Sequence, residues 1–256
     1  MIVVGDYYIF GETDESMEIH RLIREFSVNS HDDLSQYLEQ HPEKAGDYEN
    51  LDLTYLPSSI ALALKDVAPV LLSGRRRVSV MLVSELNPDI FRSAHVVYVG
   101  YLSGLGMLQG VVFSGSELSV GESYDELVDH KSGAHYFSGV QLPHGENEYH
   151  DFGYFSTFPG PHGNQIVVIA GMRDAGFMHT AETVTSLAGL RQMQQPISAR
   201  TNGFEAIDRS STSSRPPDQY EPGFEIQHRF SCAGPVESAH DASRSQLRSM
   251  PSVCLC

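Results

Sequence analysis

The sequence predicts an α/β fold: one three-layer domain over residues 2–195 with a mostly parallel sheet, an edge β-hairpin and a disordered C-terminal tail. Three observations predict it. Short strands that are apolar on both faces, over 78–83, 95–100 and 165–170, alternate with amphipathic helical patterns, as in a parallel sheet covered on both sides. Several of these strands end in glycine followed by polar residues, the usual strand-to-helix junction of open α/β sheets. Beyond Gln195 the periodicity collapses.

Ile2 to Phe10 reads as the first strand, rich in β-branched and aromatic residues. A core strand at residue 2 suggests the inner part of a longer, N-terminally truncated protein. Met17 to Phe26 places Ile19, Leu22, Ile23 and Phe26 at helical spacing, so a helix is expected there. Ser30 is a candidate N-cap for a second helix, with Asp32 and Asp33 in its first turn. A third helix runs from Ser59 to about Leu72, bent or shortened by Pro69. A short helix is expected over 88–93 and a helix or half-helix over 104–113. Residues 124–137 form the hairpin, with its turn at His130 to Gly133. A strand over 152–158, a tight turn from Pro159, the strand 165–170 and a closing helix over 178–193 complete the domain.

The domain therefore covers 1–196, and 197–256 is read as a disordered or aberrant tail. That tail holds eleven Ser, five Pro and no Lys, a composition that buries too little apolar surface to fold. Asn202 to Ile207 is the one stretch there that resembles a strand. All three cysteines (Cys232, Cys254, Cys256) lie in the tail, which fits an out-of-frame C-terminus as well as a disordered one. They suggest neither a disulfide framework nor a zinc site.

Charge narrows the function. The net charge is −16, and the first sixty residues carry 13 Asp and Glu against 3 Lys and Arg. Such a face repels phosphate backbones, so direct contact with nucleic acid is not expected. The basic run Arg75-Arg76-Arg77 reads as a solvated turn. No membrane span and no signal peptide are evident, so the chain reads as cytoplasmic.

The candidate site is the set of strand-end loops: Asp6 and Tyr7, Tyr101 and Ser103, then Gly171, Arg173, Asp174 and Gly176. If the strands are parallel neighbours, these loops share one rim, where ligands of open α/β sheets bind. Arg173 would pair an anionic group, with N–H groups near Gly176 at a helix N-terminus assisting. The plainer reading is that the glycines serve turns and that Arg173 and Asp174 pair or cap. Catalytic templates fail. Gly171-x4-Gly176 has P-loop spacing but is followed by Phe177-Met178 instead of Lys and Ser/Thr. Gly100-x3-Gly104-x-Gly106 is not a dinucleotide fingerprint, and Ser103 lacks a nucleophile-elbow frame. His144, Glu146, Glu148 and His150 read as a solvated loop rather than a metal site.

The segments Val4-Gly-Asp-Tyr-Tyr-Ile-Phe-Gly-Glu, Val97-Tyr-Val-Gly-Tyr-Leu-Ser-Gly-Leu-Gly and Phe158-Pro-Gly-Pro-His-Gly-Asn-Gln-Ile-Val-Val-Ile-Ala-Gly-Met-Arg-Asp are distinctive. Together they resemble an uncharacterised bacterial α/β, Rossmann-like domain that follows helix-turn-helix-type regulatory segments. The resemblance implies a sensor or effector-binding module, a regulatory domain, and carries over no catalytic residues; no cofactor is expected. The expected function is non-catalytic binding of a small anionic ligand or a partner domain at the rim. The alternative is a hydrolase or transferase acting on a phosphorylated or nucleotide-like substrate, with Asp6 or Asp174 as base or nucleophile and Arg173 stabilising charge.

Overall fold

The computed structural model describes residues 1–74, 77–123, 125–141, 148–160, 162–194, 203–213 and 227–229, and it is a mixed α/β structure. The expectations for Arg75-Arg76, for His144 and Glu146, for the three cysteines and for most of the tail lie outside these residues.

The first strand divides. β1 (Ile2–Val4) enters the main sheet, but after Gly5-Asp6 the chain turns away and β2 (Tyr7–Thr13) starts a separate sheet. The helix expected over 17–26 is instead β3 (Ile19–Ile23), antiparallel to β2. Asp14 explains the reversal. Its side chain accepts from the N–H groups of Ser16 and Glu18, and its carbonyl accepts from Met17, which sits at φ 63°. That aspartate-centred turn hands β3 back to β2, and pairing prevails over a marginal helical period. Ser30 does cap α1 (His31–Gln40), accepting from the Asp33 N–H. β4 (Tyr48–Tyr55), which the sequence reading missed, completes a sheet of order β3-β2-β4.

α2 (Ser58–Leu72) carries Pro69 near its end. β5 (Val80–Leu82), α3 (Pro88–Ser93), β6 (Val96–Tyr101) and α4 (Leu108–Phe113) follow, with a 3₁₀ turn at Leu102–Gly104. β7 (Leu118–Val120), β8 (Glu126–Asp129) and β9 (His135–Phe137) form a third, antiparallel sheet of their own. The expected hairpin exists as β8–β9, within that sheet. β10 (Gly139–Gln141), β11 (Glu148–Pro159) and β12 (Gln165–Gly171) return to the main sheet. The single closing helix is two: α5 (Asp174–Thr185) and α6 (Leu187–Gln194). The Thr185 hydroxyl bonds back to the Ala181 carbonyl, while Ser186 is extended and its side chain accepts from the Gly189 N–H. Hydroxyls that bond their own backbone end one helix and cap the next.

β13 (Phe204–Ser213) and β14 (Gln227–Arg229) finish the main sheet, whose order is β14-β13-β11-β12-β6-β1-β5 with β10 beside β11. The ordered domain therefore extends beyond residue 196, and β13 pairs with β11 along ten residues. β5, β1, β6 and β12 are parallel, as expected; β11, β13, β14 and β10 add an antiparallel half. Alternation along the strands sends Ile2, Val4, Val97, Val99 and Ile169 to one face, against Ile60 and Val67 of α2 and Phe177 and Ala181 of α5. Val3, Tyr98, Ile166 and Val168 face the other side, against Phe91 of α3, Leu102, Leu105 and Leu108. Burial on both faces explains the unbroken aliphatic runs. Among the described residues no helix is long and apolar enough to cross a membrane.

Candidate functional site

Because β1, β6 and β12 run parallel and adjacent, their C-terminal ends open onto one rim. Tyr98 organises the first two loops. It is fully buried, and its hydroxyl donates to the Tyr101 carbonyl at 2.6 Å. Gly5, Gly100 and Gly104 crowd around that hydroxyl; a Cβ at Gly100 would stand 2.9 Å from it and one at Gly104 3.0 Å. These glycines let two loops close over a phenol, which brings Tyr7 to Ser103 (2.6 Å, hydroxyl to hydroxyl). The rings of Tyr7 and Tyr101 are then 6.5 Å apart, and Tyr55 from β4 stacks on Tyr7 at 5.3 Å. The Arg24 guanidinium lies 4.8 Å from the Tyr7 ring centre.

The third loop joins through Tyr101. Its hydroxyl donates to Asp174 at the start of α5 and lies 2.9 Å from the Ser59 hydroxyl in the first turn of α2. Burial, and then the Asp174 carboxylate, push the Tyr101 phenol well above its usual range; burial takes Tyr7 up to about 12. Both phenols therefore remain protonated donors at neutral pH. Of the expected residues, Tyr7, Tyr101, Ser103 and Asp174 thus form one connected cluster, to which Ser59 and Tyr55 are added.

The other expected residues have different partners. Asp6 accepts from the Ser84 N–H (3.0 Å) and hydroxyl (2.7 Å), which ties β1 to the turn after β5. Arg173 forms a two-pronged, exposed pair with Asp125, at 3.0 and 2.5 Å. The N-terminus of α5 already holds an anion, the protein's own Asp151. That fully buried carboxylate accepts from the N–H groups of Gly176 (2.7 Å), Phe152 (2.8 Å) and Arg173 (3.2 Å) and from the Ser138 hydroxyl (2.8 Å). Burial raises its pKa even against these four donors. Gly171 and Gly176 work by close approach. A Cβ on Gly171 would collide with the backbone of Phe177, and one on Gly176 with the backbone of Phe152.

A second arrangement lies on the outer face of the β7-β8-β9 sheet. An open cleft of about 750 Å³ there is lined by Ser119, Gly121, Ser123, Glu126, His135 and Phe137, among others. Glu126 is buried; one carboxylate oxygen lies 2.5 Å from His135 Nδ1, the other accepts from the Glu122 N–H at 3.2 Å. A proton on Nδ1 leaves the lone pair of His135 on Nε2. Ser119, on the same face, lies 2.8 Å from His130 Nε2. Among the described residues no three His, Cys, Asp or Glu side chains gather as metal ligands, and His150 is buried against Arg209.

No known protein family, no curated protein and no solved structure matches this chain.

Sequence reasoning missed Asp151, because its donors come from residues up to 25 positions away. It also missed the Glu126–His135 pair, although the hairpin register contains it. With Val128 opposite His135 and Glu126 opposite Phe137, Glu126 and His135 are diagonal neighbours on one face.

Proposed function

We propose that the domain is a non-catalytic binding module that takes a small ligand, or a partner domain, at the rim where β1, β6 and β12 end. The observation that carries this reading is the Tyr7–Ser103 and Ser59–Tyr101–Asp174 hydrogen-bond network, which links all three strand ends and α2 through side chains. Tyr55, half-exposed and backed by the buried Tyr7, offers a ring face for a planar group, while Tyr101, Ser59 and Asp174 offer polar contacts. An anionic group reaches Arg173 by displacing Asp125, an exchange that costs little because the pair is exposed. We read the layers as a three-layer, doubly wound, Rossmann-like arrangement and the protein as a cytoplasmic regulatory domain.

The test is a thermal-shift screen of the full chain against nucleotides, sugars and carboxylates, repeated on Tyr101→Phe and Arg173→Ala. Stabilisation by a hit is expected to fall sharply in Tyr101→Phe, and Arg173→Ala is expected to weaken anionic hits alone. Hits that survive Tyr101→Phe unchanged would place the ligand elsewhere.

A second reading, an enzyme, is favoured by one observation: the Glu126–His135 pair beside Ser119 in an open cleft. A carboxylate-oriented imidazole is a general-base arrangement. The acidic cleft, with Glu122 at its edge, disfavours phosphorylated substrates and points to attack by a hydroxyl or water on a neutral one. Turnover that is lost in His135→Ala but kept in Tyr101→Phe would establish this reading in place of the first.

A further inference from the structure

The β3-β2-β4 sheet is apolar on both faces, and on one of them the apolar side chains of its two outer strands are exposed. Tyr8 and Phe10 point to the side covered by Val28 and Leu34 of the loop and helix that follow β3. The opposite side follows from the register. Leu22 stands across from Gly11, Ile19 across from Thr13, Leu53 across from Ile9 and Tyr55 across from Tyr7. Gly11 leaves room for its neighbours: a Cβ there would meet Ile19 and Leu51 side chains at 3.2–3.3 Å, so both lie over the sheet. Ile19, Leu22 and Leu53 are 41–56% exposed, and Tyr55 beside them leads into the rim. Phe26 continues the patch under the Arg24 guanidinium. Contiguous apolar faces of this kind mark interaction sites.

The charge around the patch selects its partner. Glu49 projects from the same face, opposite Gly11, and the exposed turn Asp14–Glu18 and Asp52 lie at its border. The three cations of the first sixty residues are engaged at home. Arg21 pairs with Glu12, Arg24 bonds the carbonyls of Glu25 and Val28, and Lys44 lies 5.6 Å over the Tyr48 ring. An acidic frame thus surrounds an apolar centre. A second copy would bring the same surplus of negative charge, whereas a cationic segment complements it.

We infer that this face docks a partner segment in which apolar side chains are interspersed with Lys or Arg. The apolar side chains pack on Ile19, Leu22 and Leu53, and the cations reach Glu49 and the Asp14–Glu18 turn. The face adjoins the rim at Tyr55, but none of the residues varied below belongs to the Tyr101–Asp174 cluster, so its failure and that of the rim are distinguishable.

Fluorescence anisotropy with a labelled peptide alternating lysine and valine tests this on the full chain, with the glutamate–valine peptide as control. Binding of the lysine peptide is expected, weakening as salt rises, and about tenfold weaker in Leu22→Ser/Leu53→Ser. Glu18→Lys/Glu49→Lys, which spares the apolar centre, is expected to weaken it as well. Equal binding of both peptides, or binding indifferent to both double variants, overturns the proposal. So does a failure of both peptides to bind, or a self-associated wild type that Leu22→Ser/Leu53→Ser renders monomeric; the latter makes the face a self-interface.

Discussion

The parallel half of the main sheet, β5-β1-β6-β12, buries aliphatic side chains on both faces, whereas the antiparallel half built on β11 and β13 buries Asp151, Glu205, Asp208 and His150. In the first half most buried contacts are non-directional and tolerate residues of similar volume, with exceptions at the strand ends such as the Tyr98 hydroxyl and Asp6. In the second, each buried charge needs a named partner: Asp151 has its four donors, Glu205 accepts from Ser116 and Tyr154, and Asp208 faces His179 at 3.3 Å. Buried polar groups are costly unless satisfied, so this half is stable only while its network is intact. The seam between the halves is β11–β12, and α5 packs directly over it.

Three measurements sharpen that contrast. The largest effect is expected at the seam. Gly171→Val drives a branched side chain into the Phe177 backbone, which cannot move without lifting α5 off the sheet. Loss of well over 3 kcal/mol, or no soluble fold, is expected in urea melts; overpacking commonly costs about 1–3 kcal/mol where neighbours can yield, and here the neighbour is main chain. A mild effect would mean that α5 is loosely held. Next comes Asp151→Ala, which strands the buried N–H groups of Gly176 and Phe152, the part-buried N–H of Arg173 and the Ser138 hydroxyl. About 3 kcal/mol of destabilisation is expected, with Asp151→Asn intermediate because one acceptor oxygen remains. If Asp151→Ala costs no more than an ordinary surface change, water has replaced the network and the two halves are not so different.

The smallest effect concerns pH. Burial raises the folded-state pKa of Asp151, Glu205 and Asp208 above their unfolded values. A raised carboxylate means that the folded chain holds more protons than the unfolded one between the two values. Its favourable contribution is therefore complete below the unfolded pKa and is lost as pH rises through the folded one. Glu205→Gln keeps an acceptor for Ser116 and Tyr154 without the charge. Its stability relative to wild type is thus expected to improve progressively from about pH 4 to 7. A difference that stays flat or shrinks over that range would show that Glu205 is hydrated in the folded state.

The parts of the molecule that were legible share one property: their causes are local. The runs over Val96–Tyr101 and Gln165–Gly171 are aliphatic because both faces are covered, so their alternation with helices already implied a parallel sheet. Ser30 caps α1 through its own third neighbour, and the β8–β9 hairpin closes over a few residues. Half of the expected rim was legible on the same ground, since strand ends of a parallel sheet must share an edge; Tyr7, Tyr101, Ser103 and Asp174 meet there. Tertiary contacts decided the rest. Residues 19–23 satisfy a helical period as well as a strand, and β2 settles the choice by pairing. Asn202 to Ile207 suggests no more than one short strand; pairing with β11 carries it on to Ser213, and Tyr154, Ser116 and His179 meet the carboxylates of Glu205 and Asp208. The helix N-terminus beside Gly176 invites an external anion until Asp151, 25 residues upstream, fills it. Local propensity is written in neighbouring residues, but the worth of a buried charge or an edge strand depends on partners that only the folded chain assembles.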